Sequence, residues 1–264
     1  MSGRLKQALA RSRRQGRAAL VPFLTAGYPA PELTVGLLRA LERGGADMVE
    51  LGVPFSDPIA DGPTIQRSSE QALARGTSLA AVLEMVRELR HVSELPLILF
   101  TYFNPVHAFG VQRFAGEAAA AGADGVLLVD VPAEEMAAPA RELSRAGLSL
   151  VPLVAPTSTP ERVRTLRRRH GGLVYLVART GVTGCRDALP EGLEARTRTV
   201  RRLTGAAVAV GFGISTPDQV RQVAAFADAV VVGSALVERL GAAGADPAAE
   251  VTRYVRTLAE ATVR

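Results

Sequence analysis

This chain of 264 residues has one lysine, one cysteine and no tryptophan. Each scarcity excludes chemistry. Lys6 lies in an N-terminal segment that reads as a surface helix, so Schiff-base and pyridoxal-anchoring lysine mechanisms are excluded for this chain. Cys185 alone forms neither an internal disulfide nor a thiolate metal cluster. His91, His107 and His170 are scattered, without the spacing of a ligand set. No run of 18 apolar residues exists, so no membrane span is expected. The first 16 residues lack the apolar core of a signal peptide, and a cytoplasmic protein is expected. Basic residues exceed acidic ones by only 31 to 26. The densest basic run, Arg162–His170, has no interleaved aromatics for base stacking. It reads as a solvated helix face rather than a nucleic-acid surface.

What is present is apolar and periodic. The hydrophobic fraction is 48%. Eight short apolar runs stand out: Ala19–Thr25, Met48–Val53, Leu97–Tyr102, Gly125–Asp130, Leu148–Val154, Leu173–Ala178, Ala207–Gly211 and Ala229–Gly233. Most are nearly continuous, as in strands buried on both faces. Segments of helical spacing separate them. The joints repeat: Gly-Gly-Ala-Asp at 44–47 resembles Ala-Gly-Ala-Asp at 121–124, and Phe-Ala-Asp at 226–228 is a looser copy. Eight strand–helix units without a linker predict a single (β/α)8 TIM-barrel domain over 1–264. An open doubly wound sheet is the alternative, but no G-x-G-x-x-G opens a helix after a strand. Two additions are expected: a helix before the first strand, and an extra helix within Thr64–Arg90. Longer insertions after strands two and six mark the C-terminal face, where barrel sites are built.

Glu50 is the most informative residue. Period-two alternation puts Met48, Glu50 and Gly52 on one face of strand two, with Val49, Leu51 and Val53 on the other. The outer face of a barrel strand packs on helices, so Glu50 points inward. A desolvated carboxyl has a raised pKa and moves protons near neutrality. The loop that follows holds Asp57-Pro58 and Asp61-Gly62-Pro63. Both are turn chemistry, and loop sequence alone does not choose between these acids.

Three glycine-rich strand exits lie late in the chain: Arg179–Gly184, Gly211–Ser215 and Gly233–Ala235. Backbone N–H groups at such exits, with Ser234 at a helix N-cap, predict a phosphate site. Phe23, Phe100, Tyr102, Leu127, Tyr175 and Phe212 fall near strand exits. Together they suit a planar apolar ligand with a phosphate tail.

These motifs carry a family resemblance. Pro22-Phe23-Leu24-Thr25-Ala26-Gly27-Tyr28-Pro29, Glu50 to Pro58 with Ala60 to Thr64, Gly181-Val182-Thr183-Gly184 and Gly211 to Ser215 resemble the tryptophan synthase alpha chain, over about residues 5 to 262. The resemblance implies a barrel lyase that cleaves indole-3-glycerol phosphate to indole and glyceraldehyde 3-phosphate, without metal or lysine. It implies Glu50 as general acid/base and Asp61 as the holder of the indole N–H. Tyr175 would assist Glu50. Phe23, Phe100, Tyr102, Leu127 and Phe212 would line the substrate pocket, and Thr183 would lie on a loop that closes over substrate. Gly184, Gly213, Gly233 and Ser234 would bind phosphate. It also implies a beta-chain partner in an alpha2-beta2 tetramer. That partner would carry the pyridoxal phosphate and meet this chain around Asp57-Pro58, Asn104 and Pro132. Ala178-Arg179-Thr180 departs from the many members with serine at the first of these positions. The rival readings are another phosphate-binding barrel enzyme and a non-catalytic activator of a beta chain.

Overall fold

The structure is a computed structural model that describes residues 3–179 and 189–264. Its strands are β1 (Ala19–Thr25), β2 (Val49–Gly52), β3 (Leu97–Thr101), β4 (Gly125–Leu128), β5 (Ser149–Leu150), β6 (Leu153–Val154), β7 (Leu173–Val177), β8 (Ala207–Gly211) and β9 (Ala229–Val232). All neighbours pair in parallel, in the order β5-β4-β3-β2-β1-β9-β8-β7-β6. The two ends of that order are consecutive in the chain. β5 pairs with β4 and β6 with β7, so β5 and β6 are halves of one stave, and the barrel closes through them. Pro152 separates the halves. It has no N–H to give, but its carbonyl accepts from Tyr175 N–H at 2.9 Å. Among the described residues, nine strands thus make the eight expected staves.

The helices are α1 (Gly3–Arg14), α2 (Thr34–Gly44), α3 (Pro63–Ala74), α4 (Leu79–Arg90), α5 (Phe103–Phe109), α6 (Val111–Ala121), α7 (Ala137–Arg145), α8 (Pro160–Thr165), α9 (Leu193–Thr204), α10 (Pro217–Ala224), α11 (Ser234–Ala242) and α12 (Pro247–Glu260). The extra N-terminal helix and the helix pair after strand two are present as α1, α3 and α4. Local chemistry sets several starts. Thr216 and Gln219 form a capping box around α10, and Ser78, Thr159 and Asp246 cap α4, α8 and α12.

The repeated Ala-Asp joints have one structural cause. Asp47 N–H donates to Leu20 O at 3.0 Å while its carboxylate accepts Leu20 N–H at 2.9 Å. Asp124 does the same with Leu97, at 2.9 and 3.0 Å, and Asp228 with Val208, at 3.0 and 2.9 Å. Arginine completes each lock. Arg17 forks onto Asp47 (2.5 and 2.7 Å), Arg90 and Arg4 reach Asp124 (both 3.1 Å), and Arg201 reaches Asp228 (2.8 Å). Planar guanidinium groups suit this forked pairing, which gives several of the 30 arginines a structural use. The locks stand where strands begin. The opposite, C-terminal end is left for the site.

Candidate active site

Strand register assembles the site. Phe23 of β1 stands beside Glu50 of β2, and Gly52 of β2 beside Phe100 of β3. A side chain on Gly52 would collide with the Phe23 ring, so this glycine lets Phe23 lie across the barrel mouth. Phe23 and Phe100 meet edge to face, with centroids 5.2 Å apart. On the far wall, Gly211 leaves room for the Tyr175 hydroxyl, which a Cβ there would overlap. Phe212 has φ 74, a left-handed conformation that costs a non-glycine residue about 1 kcal/mol or more. This turn brings its ring edge-on to Tyr175 at 5.9 Å.

These residues surround a cavity of about 310 Å³, lined by Glu50, Asp61, Phe23, Phe100, Tyr175 and Phe212. Gly213, Gly233 and Ser234 line it as well. Glu50 is only 2% exposed, and no hydrogen bond or ion pair holds it among the described residues. Burial pushes its pKa from 4.5 to about 8. Asp61 is 6% exposed, and burial raises its pKa to about 6. Tyr102 Oη donates to Asp61 Oδ2 at 3.0 Å and opposes that rise. The Tyr102 oxygen itself accepts from Ala60 N–H at 3.0 Å. Two carboxyls with different environments thus face one cavity, one favouring the proton and one closer to losing it.

The structure separates the expected site residues. Glu50, Asp61, Phe23, Phe100, Tyr175, Phe212, Gly213, Gly233 and Ser234 meet at the cavity. Tyr102 stands behind Asp61, as its hydrogen-bond donor. Leu127 is fully buried, paired in register with Phe100, and is not among the lining residues. Thr183 and Gly184 lie outside the described residues. Ser234 is not the helix cap. Gly233, at φ −116 and ψ −83, holds that position, and Ser234 is the first helical residue. No side chain caps α11; Leu236 N–H donates to Gly233 O at 2.9 Å, which leaves the N–H groups of Ser234 and Ala235 as those that can face an anion.

Reading by residue type overlooked Thr64, Ile65, Ser215, Val231 and Glu238, which also line the cavity. Period two on β9 could have found Val231, and the four-residue step from Ser234 could have found Glu238. The repeated joints conceal a different function: they are locks at the far end of the barrel. Lys6 is exposed on α1. No group of three or more His, Cys, Asp or Glu converges on a metal position among the described residues. No helix among them is long and apolar enough to cross a membrane.

A closed parallel barrel with two buried carboxyls and glycine-rich strand exits around one cavity defines a (β/α)8 barrel of the enzyme-bearing type. The family is more specific: the chain belongs to the tryptophan synthase alpha chain family, whose model matches residues 9–263. The alpha chain of Geobacter sulfurreducens is 49% identical over 261 residues, covering 98% of each chain. That of Solibacter usitatus is 52% identical over 225 residues, 85% of this chain and 84% of its own. A solved structure of Mycobacterium tuberculosis tryptophan synthase superposes with a TM-score of 0.91 at 34% identity, covering 100% of each chain. The protein is the lyase subunit that cleaves indole-3-glycerol phosphate in tryptophan biosynthesis.

Proposed function

We propose that Glu50 and Asp61 divide the cleavage of indole-3-glycerol phosphate between them. The indole ring lies among Phe23, Phe100, Phe212 and Tyr175, with its N–H toward Asp61. The phosphate lies toward Gly213, Gly233 and Ser234, held by backbone N–H groups and the N-terminus of α11. Protonated Glu50 delivers its proton to ring carbon C3. The positive charge that develops on the ring nitrogen is stabilised by the Asp61 carboxylate. Glu50, now ionised, takes the proton of the side-chain hydroxyl next to C3. The bond from C3 to that carbon breaks, its electrons return to the ring, and indole and glyceraldehyde 3-phosphate result. Protons balance, because Glu50 ends as it began. Tyr175 borders this path, and Tyr102 orients Asp61.

The observation that carries this reading is a buried Glu50 with no described partner, sharing one cavity with Asp61. An apolar core position for an acid costs stability, and proton transfer is the use that repays it. The test is indole release from indole-3-glycerol phosphate, with and without a beta chain. Wild-type protein should release indole, and Glu50→Gln should lose activity by about 10²-fold or more. Undiminished release by the variant would refute the assignment.

The partner reading rests on the surface beside the cavity. Ile59 is 82% exposed in the loop after β2, next to exposed Asp57, and Asn104 and Pro132 are exposed at neighbouring strand exits. We assign this face to a beta chain in an alpha2-beta2 tetramer that receives the indole. Pyridoxal phosphate belongs to that partner, and this chain uses no cofactor or metal of its own. All 264 residues are taken as one barrel domain acting in the cytoplasm.

A further inference from the structure

Glu238 lines the same cavity as Gly213, Gly233 and Ser234. It stands four residues after Ser234 on α11, so the two side chains share a helix face one turn apart. The first turn of α11 contains no acid. No ion pair or hydrogen bond engages the Glu238 carboxylate among the described residues. Its neighbour Arg239 is committed elsewhere, 3.1 Å from Glu250 and 4.3 Å from the centre of the Tyr254 ring. The side chain of Arg179 runs along Gly213. A methyl group added at Gly213 would stand 3.4 Å from Arg179 Cδ. Charges of opposite sign therefore stand near Gly213 and near Ser234, two of the residues assigned above to the phosphate.

A negative charge beside an anion cradle opposes binding, and such an arrangement has a use where the leaving product is itself the anion. We propose that Glu238 sets the affinity of this cavity for its phosphate group, weakening it so that the phosphorylated three-carbon product escapes. This rests on the phosphate reading above. The carboxylate is solvent-exposed, so the effect is modest and sensitive to ionic strength.

The experiment is calorimetric titration of the full chain with inorganic phosphate and, separately, with indole. It compares wild type with Glu238→Gln and Glu238→Lys, at low and at high salt. Glu238 is exposed and bonded to nothing described, so both variants should fold. Glu238→Gln should bind phosphate about 2- to 5-fold more tightly at low salt, and Glu238→Lys more tightly still. The gain should shrink at high salt, and indole affinity should not change. A merely structural role would alter both ligands and would not follow salt. Equal phosphate affinity in the three proteins would overturn the role of Glu238 while leaving the phosphate site intact. Absence of phosphate binding in all three, together with no competition between phosphate and substrate, would overturn the site itself and the proposal with it.

Discussion

Replacing Glu50 with glutamine should make the protein more stable at neutral pH while it destroys the reaction. The amide keeps the size of the side chain and removes its charge. In the folded chain the carboxyl has its pKa at about 8, against 4.5 ordinarily. Below pH 4.5 both folded and unfolded chains hold the proton, and ionisation of this group costs nothing. Between 4.5 and about 8 the unfolded chain releases the proton while the folded chain keeps it, so this group lowers stability as pH rises. Above about 8 both states are ionised and the loss is complete. At 1.36 kcal/mol per pH unit, the cost reaches about 3 kcal/mol at pH 7 and on the order of 5 kcal/mol above pH 8. Urea denaturation of wild type and Glu50→Gln at pH 4.5, 6, 7 and 8.5 measures this directly. The stability difference between them should shift by a few kcal/mol in favour of the variant across the series. Parallel pH profiles for the two proteins would show that Glu50 ionises normally, and the argument from desolvation would fail.

Activity should depend on pH through both acids. With Asp61 ionised and Glu50 protonated in the productive form, kcat/KM should rise as pH passes about 6 and fall as it passes about 8. Tyr102→Phe removes the hydrogen bond that holds the Asp61 pKa down, so the acidic limb should move to higher pH; an unmoved limb would dissociate Tyr102 from Asp61. At the other end of the barrel, Asp124→Ala strips Arg90 and Arg4 of a buried partner and leaves Leu97 N–H without its carboxylate. A loss of about 3–5 kcal/mol is expected by denaturation, with activity per folded molecule retained. Gly211→Ala drives a methyl group into the Tyr175 hydroxyl and against Val231, and should cost about 1–3 kcal/mol and reduce indole release; a neutral result would mean that the Tyr175 ring moves freely.

Much of the fold was legible because two short-range rules operate along this chain. Buried parallel strands are continuous apolar runs, and β1 and β8 begin and end where those runs do. Helix caps are side-chain chemistry within four residues, as at Thr216 and Gln219. The fifth stave defied the rule only in detail, where Pro152 interrupts one apolar run into β5 and β6. Alternation on strand two also placed Glu50 inside the barrel, since a one-residue shift would have put it against helices.

The rest required closure of the barrel. Asp57 and Asp61 are equivalent as turn residues in sequence, yet Asp61 is buried against Tyr102 while Asp57 is exposed and bonded to Ser56. Tyr102 itself looked like a pocket wall and proved to stand behind the acid. Gly52 and Gly211 gain their meaning from Phe23 and Tyr175, residues distant in the chain that need their space. The period of each strand and helix could be read along the chain, because periodicity depends only on neighbours. Which acid shares a cavity with Glu50, and the direction in which each pKa moves, followed from packing, because desolvation depends on everything around a group rather than on what adjoins it along the chain.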